Sequence, residues 1–421
     1  GLGNALIQKK NADDLDFSSV FYFNFVVCLV LYIGMFFIAP IIDNQLYAGK
    51  YDNLTAYIRV LSLVLIISGV KNIQQAYVSR KMIFKKFFFA TLGGTIVAAI
   101  IGIVMAYYGF GAWSIIAQNL VNKIIDTTVL WVTVRWRPKR MFSFARLKSL
   151  LSYGWKLLCS SLIDVLYRKI RQIIIGSYYS SADLAFYNEG EKIPNFIVNN
   201  INSSIDSVLF PAMSKNQNDR ARVKSMTRRS IKTSSFFMWP LMLGVVMITE
   251  SLVRIFLGEK WLPCAFFLKI FCIVYAFMPI NTANLNAIKA VGRSDMFFKL
   301  EIIKKTIGIG ALILTMFISV KAMAISVLLV NFIGCFINAY PNRKLLNYSY
   351  SEQIKDILPS VIISIIMSIV IFLVGLINLN YIILMVIQVI IGIIIYIGLS
   401  YLFKIDTLFY IFDIVKNVLK R

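Results

Sequence analysis

The sequence predicts an all-α polytopic membrane protein, on three observations. Runs of about 20 apolar residues, the length that crosses the hydrocarbon core as a helix, recur along nearly the whole chain. They are continuous rather than alternating, unlike the roughly 10-residue dyad pattern of a transmembrane β-barrel. Of the 421 residues, 59% are hydrophobic and only 15% charged, an apolar share beyond that of soluble globular domains.

Twelve candidate spans follow, at roughly 18–42, 54–73, 86–107, 111–134, 150–176, 184–211, 233–252, 261–288, 296–318, 322–340, 357–377 and 380–403. An even number puts both ends on one side, and Lys and Arg test this. Thirty cations fall in the loops and tail of that side, Lys71 to Lys86 included, against Lys50, Arg254, Lys260 and Lys321 on the other. The positive-inside rule makes the basic side, with both ends, cytoplasmic. The net charge of +24 is then chiefly topogenic, and nucleic acid is not an expected partner. After Lys404, apolar residues from Leu408 to Leu419 recur at helical spacing, which predicts an amphipathic tail on the membrane surface.

An internal echo organises the chain. SRKMIFKKF at 79–87 matches GRSDMFFKL at 292–300, and each precedes a pair of spans ending in a Pro-bearing basic loop, WRPKR at 136–140 and YPNRK at 340–344. Two pseudo-repeated six-helix halves are implied, with two C-terminal helices outside the repeat. The expected organisation is a truncated helix end and loop at 1–17, four spans of an N-terminal half at 18–149 and six spans of a C-terminal half at 150–344. Two additional spans at 345–403 and the tail at 404–421 complete it. A first half of only four spans leaves a deficit of two, so about 14 helices are expected of the full protein.

The chain has no histidine, which removes a Ser-His-Asp triad, His-ligated metals and a histidine proton relay. Cys28, Cys159, Cys264, Cys272 and Cys335 lie in or beside apolar runs without a CxxC pair, so neither zinc nor a disulfide framework is expected. No cofactor is expected, beyond a Na⁺ or H⁺ gradient. Chemistry rests on charges inside the spans, because charge in lipid is costly and marks functional positions.

Arg168, Lys169 and Arg171 lie in one such span. At 1.5 Å per residue from Leu150, Arg168 and Arg171 fall in the outer half of their helix. They share a face, and Lys169 points elsewhere. Lys123 lies about 18 Å into a helix entering near Gly111, close to the middle of the bilayer, with Asp126 on its face. Glu301 stands i,i+3 and i,i+4 to Lys304 and Lys305. Lys123, Arg168, Arg171, Lys304 and Lys305 are the candidate contacts for an anionic substrate. Asp126, Asp164, Asp206 and Glu250 are the acids that could couple transport to an ion. Pro279 with Asn281, Asn284 and Asn286 interrupts an apolar span, and broken helices of this kind line cavities. Each of these has a plainer reading as a snorkelling cation, a neutralised pair or interhelical asparagine bonding worth roughly 0.6 kcal/mol.

SYGWKLL from Ser152, IIIG at 173–176, ADLAFYNEGEKIP from Ala182, the opening GLGNALIQKK and the basic loop at 216–229 resemble the Wzx-type polysaccharide flippases. These belong to the multidrug/oligosaccharidyl-lipid/polysaccharide superfamily. The resemblance implies a transporter, not an enzyme. It implies that undecaprenyl-diphosphate-linked oligosaccharide units cross the bacterial inner membrane, for capsule, exopolysaccharide or the O-antigen of lipopolysaccharide. Alternating access around a central cationic cavity is the implied mechanism, with the five cations above meeting the headgroup and diphosphate. Lipid-linked oligosaccharide, membrane lipids and polysaccharide polymerase or export machinery are the implied partners.

GLGNALIQKK resembles the end of the family's second helix, and Gly1 rather than Met opens the chain, so two N-terminal spans are expected to be missing. Two positions depart from the family pattern: Arg171 where an acid is common, and Ala185 where a glycine is. A MATE-like drug/cation antiporter of the same superfamily is the alternative, disfavoured by the surplus of intramembrane cations. A membrane glycosyltransferase or ligase is disfavoured by short outer loops, by the lack of an acidic metal-binding cluster in the inner loops and by the absence of histidine.

Overall fold

The computed structural model describes Leu6 and residues 12–81, 84–377 and 379–419. Some side chains within its helices lie outside the description, among them Lys156, Asp164 and Asp206. The GLGNALIQKK stretch other than Leu6, and part of the 79–87 echo, lie outside it too.

Among the described residues there is no strand. The α-helices are, in order, α1 Asp14–Ile41, α2 Leu54–Leu61, α3 Leu63–Lys81, α4 Phe84–Tyr107, α5 Ala112–Thr133, α6 Phe144–Tyr178, α7 Ser181–Lys215 and α8 Arg220–Phe256. They continue as α9 Cys264–Ala276, α10 Met278–Ala290, α11 Ser294–Thr315, α12 Val320–Leu345, α13 Tyr350–Gly375, α14 Tyr381–Leu402 and α15 Asp406–Leu419. A π-helical turn, Ile42–Leu46, extends α1 beyond Pro40.

Eight segments among the described residues are long and apolar enough to cross a membrane: Asp14–Leu46, Leu54–Val78, Phe88–Tyr107, Arg220–Phe256, Cys264–Ala290, Val320–Leu345, Tyr350–Gly375 and Tyr381–Leu402. The chain is a multi-pass membrane protein. Helices α5, α6, α7 and α11, of 22, 35, 35 and 22 residues, also coincide with predicted spans but are more polar.

Two predicted spans are each broken in two. The run at 54–73 divides at Ser62, whose hydroxyl donates to the Ile58 carbonyl at 2.6 Å. The run at 261–288 divides at Phe277, two residues before Pro279. Proline lacks an N–H and its fixed φ suits a first helical turn, so Pro279 starts a helix rather than kinking one. The basic loop predicted around 215–232 is instead mostly helix. Arg and Lys are strong helix formers, so charge ends the apolar run without ending α8. Asp219 caps it, accepting from the Arg222 N–H at 2.9 Å.

The chain forms two compact units, Gly1–Lys169 and Ile170–Arg421, dividing within α6. In the first, Phe17 and Val20 of α1, Ile73 of α3, Leu130 of α5 and Leu147 of α6 pack around Trp136. The basic segment after α5 is strapped to the start of α1. Trp136 Nε1 donates to Asp14 at 2.9 Å, Arg146 donates to Asp13 at 3.0 Å, and the Ser18 and Ser19 hydroxyls accept the backbone N–H groups of Lys139 and Ser143.

In the second unit α8 is central. Its Met238, Trp239 and Met242 pack with Val198 of α7 and with Leu268 and Cys272 of α9. Helices α7 and α9 approach tightly at Gly190, where an added Cβ would lie 2.5 Å from Phe267 Cβ and 2.8 Å from the Leu268 nitrogen. Outward-facing residues are apolar, with Ile103 70% and Leu314 74% exposed. Such surfaces are a liability in water and ordinary against acyl chains.

Candidate functional site

A polar cluster lies midway along α11 in the second unit, with residues of α10 and α12 beside it. Lys304 Nζ donates to Glu301 Oε1 at 2.5 Å, the i,i+3 pairing, and both side chains are largely buried. The Lys304 stem passes over Gly334, where a Cβ would meet Lys304 Cδ at 3.6 Å. Beside it, Asn281 Nδ2 donates to Cys335 Sγ at 3.3 Å, and Asn338 Nδ2 donates to Asn281 Oδ1 at 2.8 Å. Counted from Ser294, Lys304 lies about 15 Å along α11, near the middle of its 22 residues. A cation among apolar helices is stable only when paired or hydrated.

From this cluster a column of polar side chains continues toward the basic end of the unit. Asn342 Nδ2 donates to Asn284 Oδ1 at 2.8 Å, and Asn284 Nδ2 donates to Gln353 Oε1 at 3.0 Å. One turn farther into α13 than Gln353, Asp356 accepts from Arg228 Nε at 2.6 Å, from Arg228 Nη2 at 3.0 Å and from the Tyr348 hydroxyl at 2.9 Å. These groups sit at the basic end, where the apolar stretches of α8 and α13 have not yet begun. Burial, and then the Asp356 charge, push the Tyr348 phenol up. The Asp356 carboxylate raises Arg228 in turn. Beside them, Lys224 donates to Glu352 at 2.9 Å. That bond, followed by the Ser349 backbone N–H, holds the Glu352 carboxyl down to about 2. Sequence reasoning passes over Asn338, Asn342, Gln353 and Asp356, because nothing in a polar residue near a helix end says that it faces a second asparagine.

The other predicted residues are scattered. Asp126 of α5 pairs with Lys71 of α3 and not with Lys123, three residues before it; both members of that pair are largely buried. Lys71, read from the sequence as a loop cation, is thus inside a helix. Lys123 is half-buried. Arg168 is exposed whereas Arg171, one turn on, is 9% exposed. Lys305 is half-buried beside Lys304. Glu250 of α8 pairs with Lys269 of α9 at 2.9 Å, largely exposed. Asp164 and Asp206 lie outside the described side chains.

One further acid is not among the sequence candidates. Glu191 of α7 accepts from the Tyr275 hydroxyl at 2.7 Å, and Tyr187, 3% exposed, interacts electrostatically with both Glu191 and Arg171. The signal for it exists, since Glu191 lies inside the predicted 184–211 span as Asp206 does.

With this geometry in place, comparisons with known proteins decide the family. Residues 1–266 match the model of a family described as polysaccharide biosynthesis protein. The chain belongs to that family. This family member is 23% identical over 315 residues to the succinoglycan biosynthesis transport protein ExoT of Rhizobium meliloti, covering 74% of the chain and 62% of that protein. It is 25% identical over 311 residues to the teichuronic acid biosynthesis protein TuaB of Bacillus subtilis, covering 71% and 62%. It is 22% identical over 316 residues to the lipopolysaccharide biosynthesis protein WzxC of Escherichia coli, covering 75% and 64%. The matches thus span less than two thirds of these relatives' length. In fold, the chain resembles the lipid II flippase MurJ in its inward closed conformation. The TM-score is 0.79 at 18% identity, over 96% of this chain and 88% of that one.

Proposed function

We propose that this protein moves a lipid-linked oligosaccharide, carried on a polyprenyl diphosphate, between the leaflets of the bacterial cytoplasmic membrane for surface polysaccharide assembly. Twelve spans in this chain and cytoplasmic ends belong to the same proposal. The observation that carries it is the Lys304–Glu301 pair midway along α11, ringed by Asn281, Cys335 and Asn338. A diphosphate leaving water needs donors in exchange, and a paired lysine supplies them by releasing its carboxylate partner. Glu301 is then the resident counter-ion, restored when the substrate departs. Lys123, Arg168, Arg171 and Lys305 stay in the proposal as further contacts, and an ion gradient as the driving force. The family membership and the names of the curated relatives, among them a succinoglycan transport protein, support this reading over the antiporter.

The test is leaflet-to-leaflet movement of a labelled polyprenyl-diphosphate oligosaccharide in proteoliposomes. The expected result is movement by the protein, lost in Lys304→Ala at equal incorporation. No movement under ion gradients of either direction overturns the flippase reading. Full movement by Lys304→Ala overturns the role of the cluster.

A further inference from the structure

Away from the Lys304 cluster, α8, α13, α14 and α15 build two adjoining depressions of opposite character. At the basic end, a cleft of about 390 Å³ is lined by Arg228, Arg229 and Lys232 of α8 and by Asp406 and Tyr410 of α15. Directly along α8 from it runs an apolar groove of about 540 Å³, from Phe236 and Leu408 at one end to Ile248 and Gln388 at the other, floored by Gly244 and Gly392.

We propose that the pair of depressions is a binding site for an anionic glycerophospholipid of the bilayer. The phosphate-bearing head lies in the basic cleft and an acyl chain lies in the groove. Three features carry this.

The cations in the cleft have unspent donors. Lys232 Nζ forms ion pairs with Asp356 and Asp406 at 3.6 Å each, too long for hydrogen bonds, so its N–H donors remain open to an anion. Arg229 stacks on the Tyr410 ring at 4.4 Å, and among the described residues no carboxylate holds it. Arg228 is fixed by Asp356, so it contributes field and shape instead of mobility. Basic pockets at the cytoplasmic ends of membrane helices are where anionic lipid heads are held.

The groove has the right length. Phe236 to Ile248 is 12 residues of α8, about 18 Å, close to the ~15 Å depth of one leaflet. That fits an acyl chain of the adjacent leaflet, whereas a long polyprenyl chain would overrun it. The groove is also open sideways to hydrocarbon, Phe237 and Ile393 being about half exposed.

Finally, α15 ties head to tail. Leu408 is buried against Phe236, Met367 and Tyr396, while Tyr410 of the same helix lines the cleft. Binding would therefore pin the tail helix to the bundle. The inference uses the proposed orientation only to assign the lipid to the inner leaflet; it does not depend on what is transported.

The experiment is native mass spectrometry of the whole chain released from detergent after incubation with phosphatidylglycerol, or with phosphatidylcholine of the same acyl chains. Inorganic phosphate and polyprenyl phosphate serve as competitors. Phosphatidylglycerol should be retained preferentially, and retention should fall roughly thirtyfold in R229Q/K232Q, two basic contacts being removed. Gly244→Phe fills the groove, since an added Cβ there meets only Met367 Cε at 4.0 Å. It should weaken long-chain phosphatidylglycerol while sparing a six-carbon version, and it keeps the proposal testable if the double variant fails to fold. Equal retention of phosphatidylcholine, or unchanged retention by both variants, overturns the site. Displacement by inorganic phosphate makes it a free-phosphate site, and displacement by sub-stoichiometric polyprenyl phosphate makes the carrier its occupant; either overturns the phospholipid assignment.

Discussion

Lys71 of α3 and Asp126 of α5 form an ion pair within the first unit, although Lys123 is the nearer cation in sequence. Side chains three apart on a helix share a face without having to touch, and the partner on a facing helix wins when burial brings it closer. Gly94 helps bring α4 up to α5, since a Cβ there would meet the Asn122 carbonyl at 3.0 Å.

Removing one member of the Lys71–Asp126 pair should therefore be costly. Asp126→Asn strands a largely buried ammonium and should lower stability by about 3 kcal/mol, while the Lys71→Met/Asp126→Leu double variant should fall near wild type. Thermal unfolding in detergent distinguishes these. Equal melting of Asp126→Asn and wild type would show that the pair is hydrated rather than buried.

Glu301→Gln should leave Lys304 without its counter-ion but with the Asn281 and Asn338 amides nearby. On the exchange mechanism, substrate should bind more tightly and release more slowly. In the proteoliposome assay that means a lower apparent KM together with a lower maximal rate, and an unchanged KM would speak against counter-ion exchange.

Gly190→Ala should destabilise the second unit by about 1–3 kcal/mol, because its Cβ would fall on α9 backbone that cannot move aside. Gly244→Ala, whose Cβ would make only an ordinary 4.0 Å contact with Met367 Cε, is the matched control. Comparable melting of the two variants would mean that α7 and α9 can part without loss.

Acid should weaken the α8–α13 contact. Glu352, held at about 2 by Lys224 and Ser349 against an ordinary 4.5, has its folded-state pKa depressed. Its contribution is therefore present above pH 4.5 and is lost as pH falls toward 2. The carboxylate is partly exposed, so the effect is screened and small. Glu352→Gln should melt below wild type at pH 7 and converge with it near pH 2; a constant gap would assign the loss to the helix cap alone.

Much of the architecture is legible in the amino-acid sequence. Apolar runs of bilayer length fix that the chain crosses a membrane as helices, because lipid offers the backbone no other partner. The i,i+3 pairing of Glu301 with Lys304 is legible too, since it lies within one helix. The division at Phe277 is only half legible: Pro279 announces an interruption, but whether proline kinks a helix or opens a new one depends on where the preceding turn packs.

What the sequence determined by itself is local: helix positions, the basic side, and which charges lie inside apolar runs. These follow from backbone hydrogen bonding and transfer free energy, which act residue by residue. Only tertiary structure decided that Asp126 answers Lys71, that Asn281 meets Cys335 and Asn338, that Arg171 is buried while Arg168 is not, and that Glu191 bonds Tyr275. Those relationships depend on the rotation of each helix about its axis and on the neighbour it packs against. A uniformly apolar helix carries no stripe to fix that rotation.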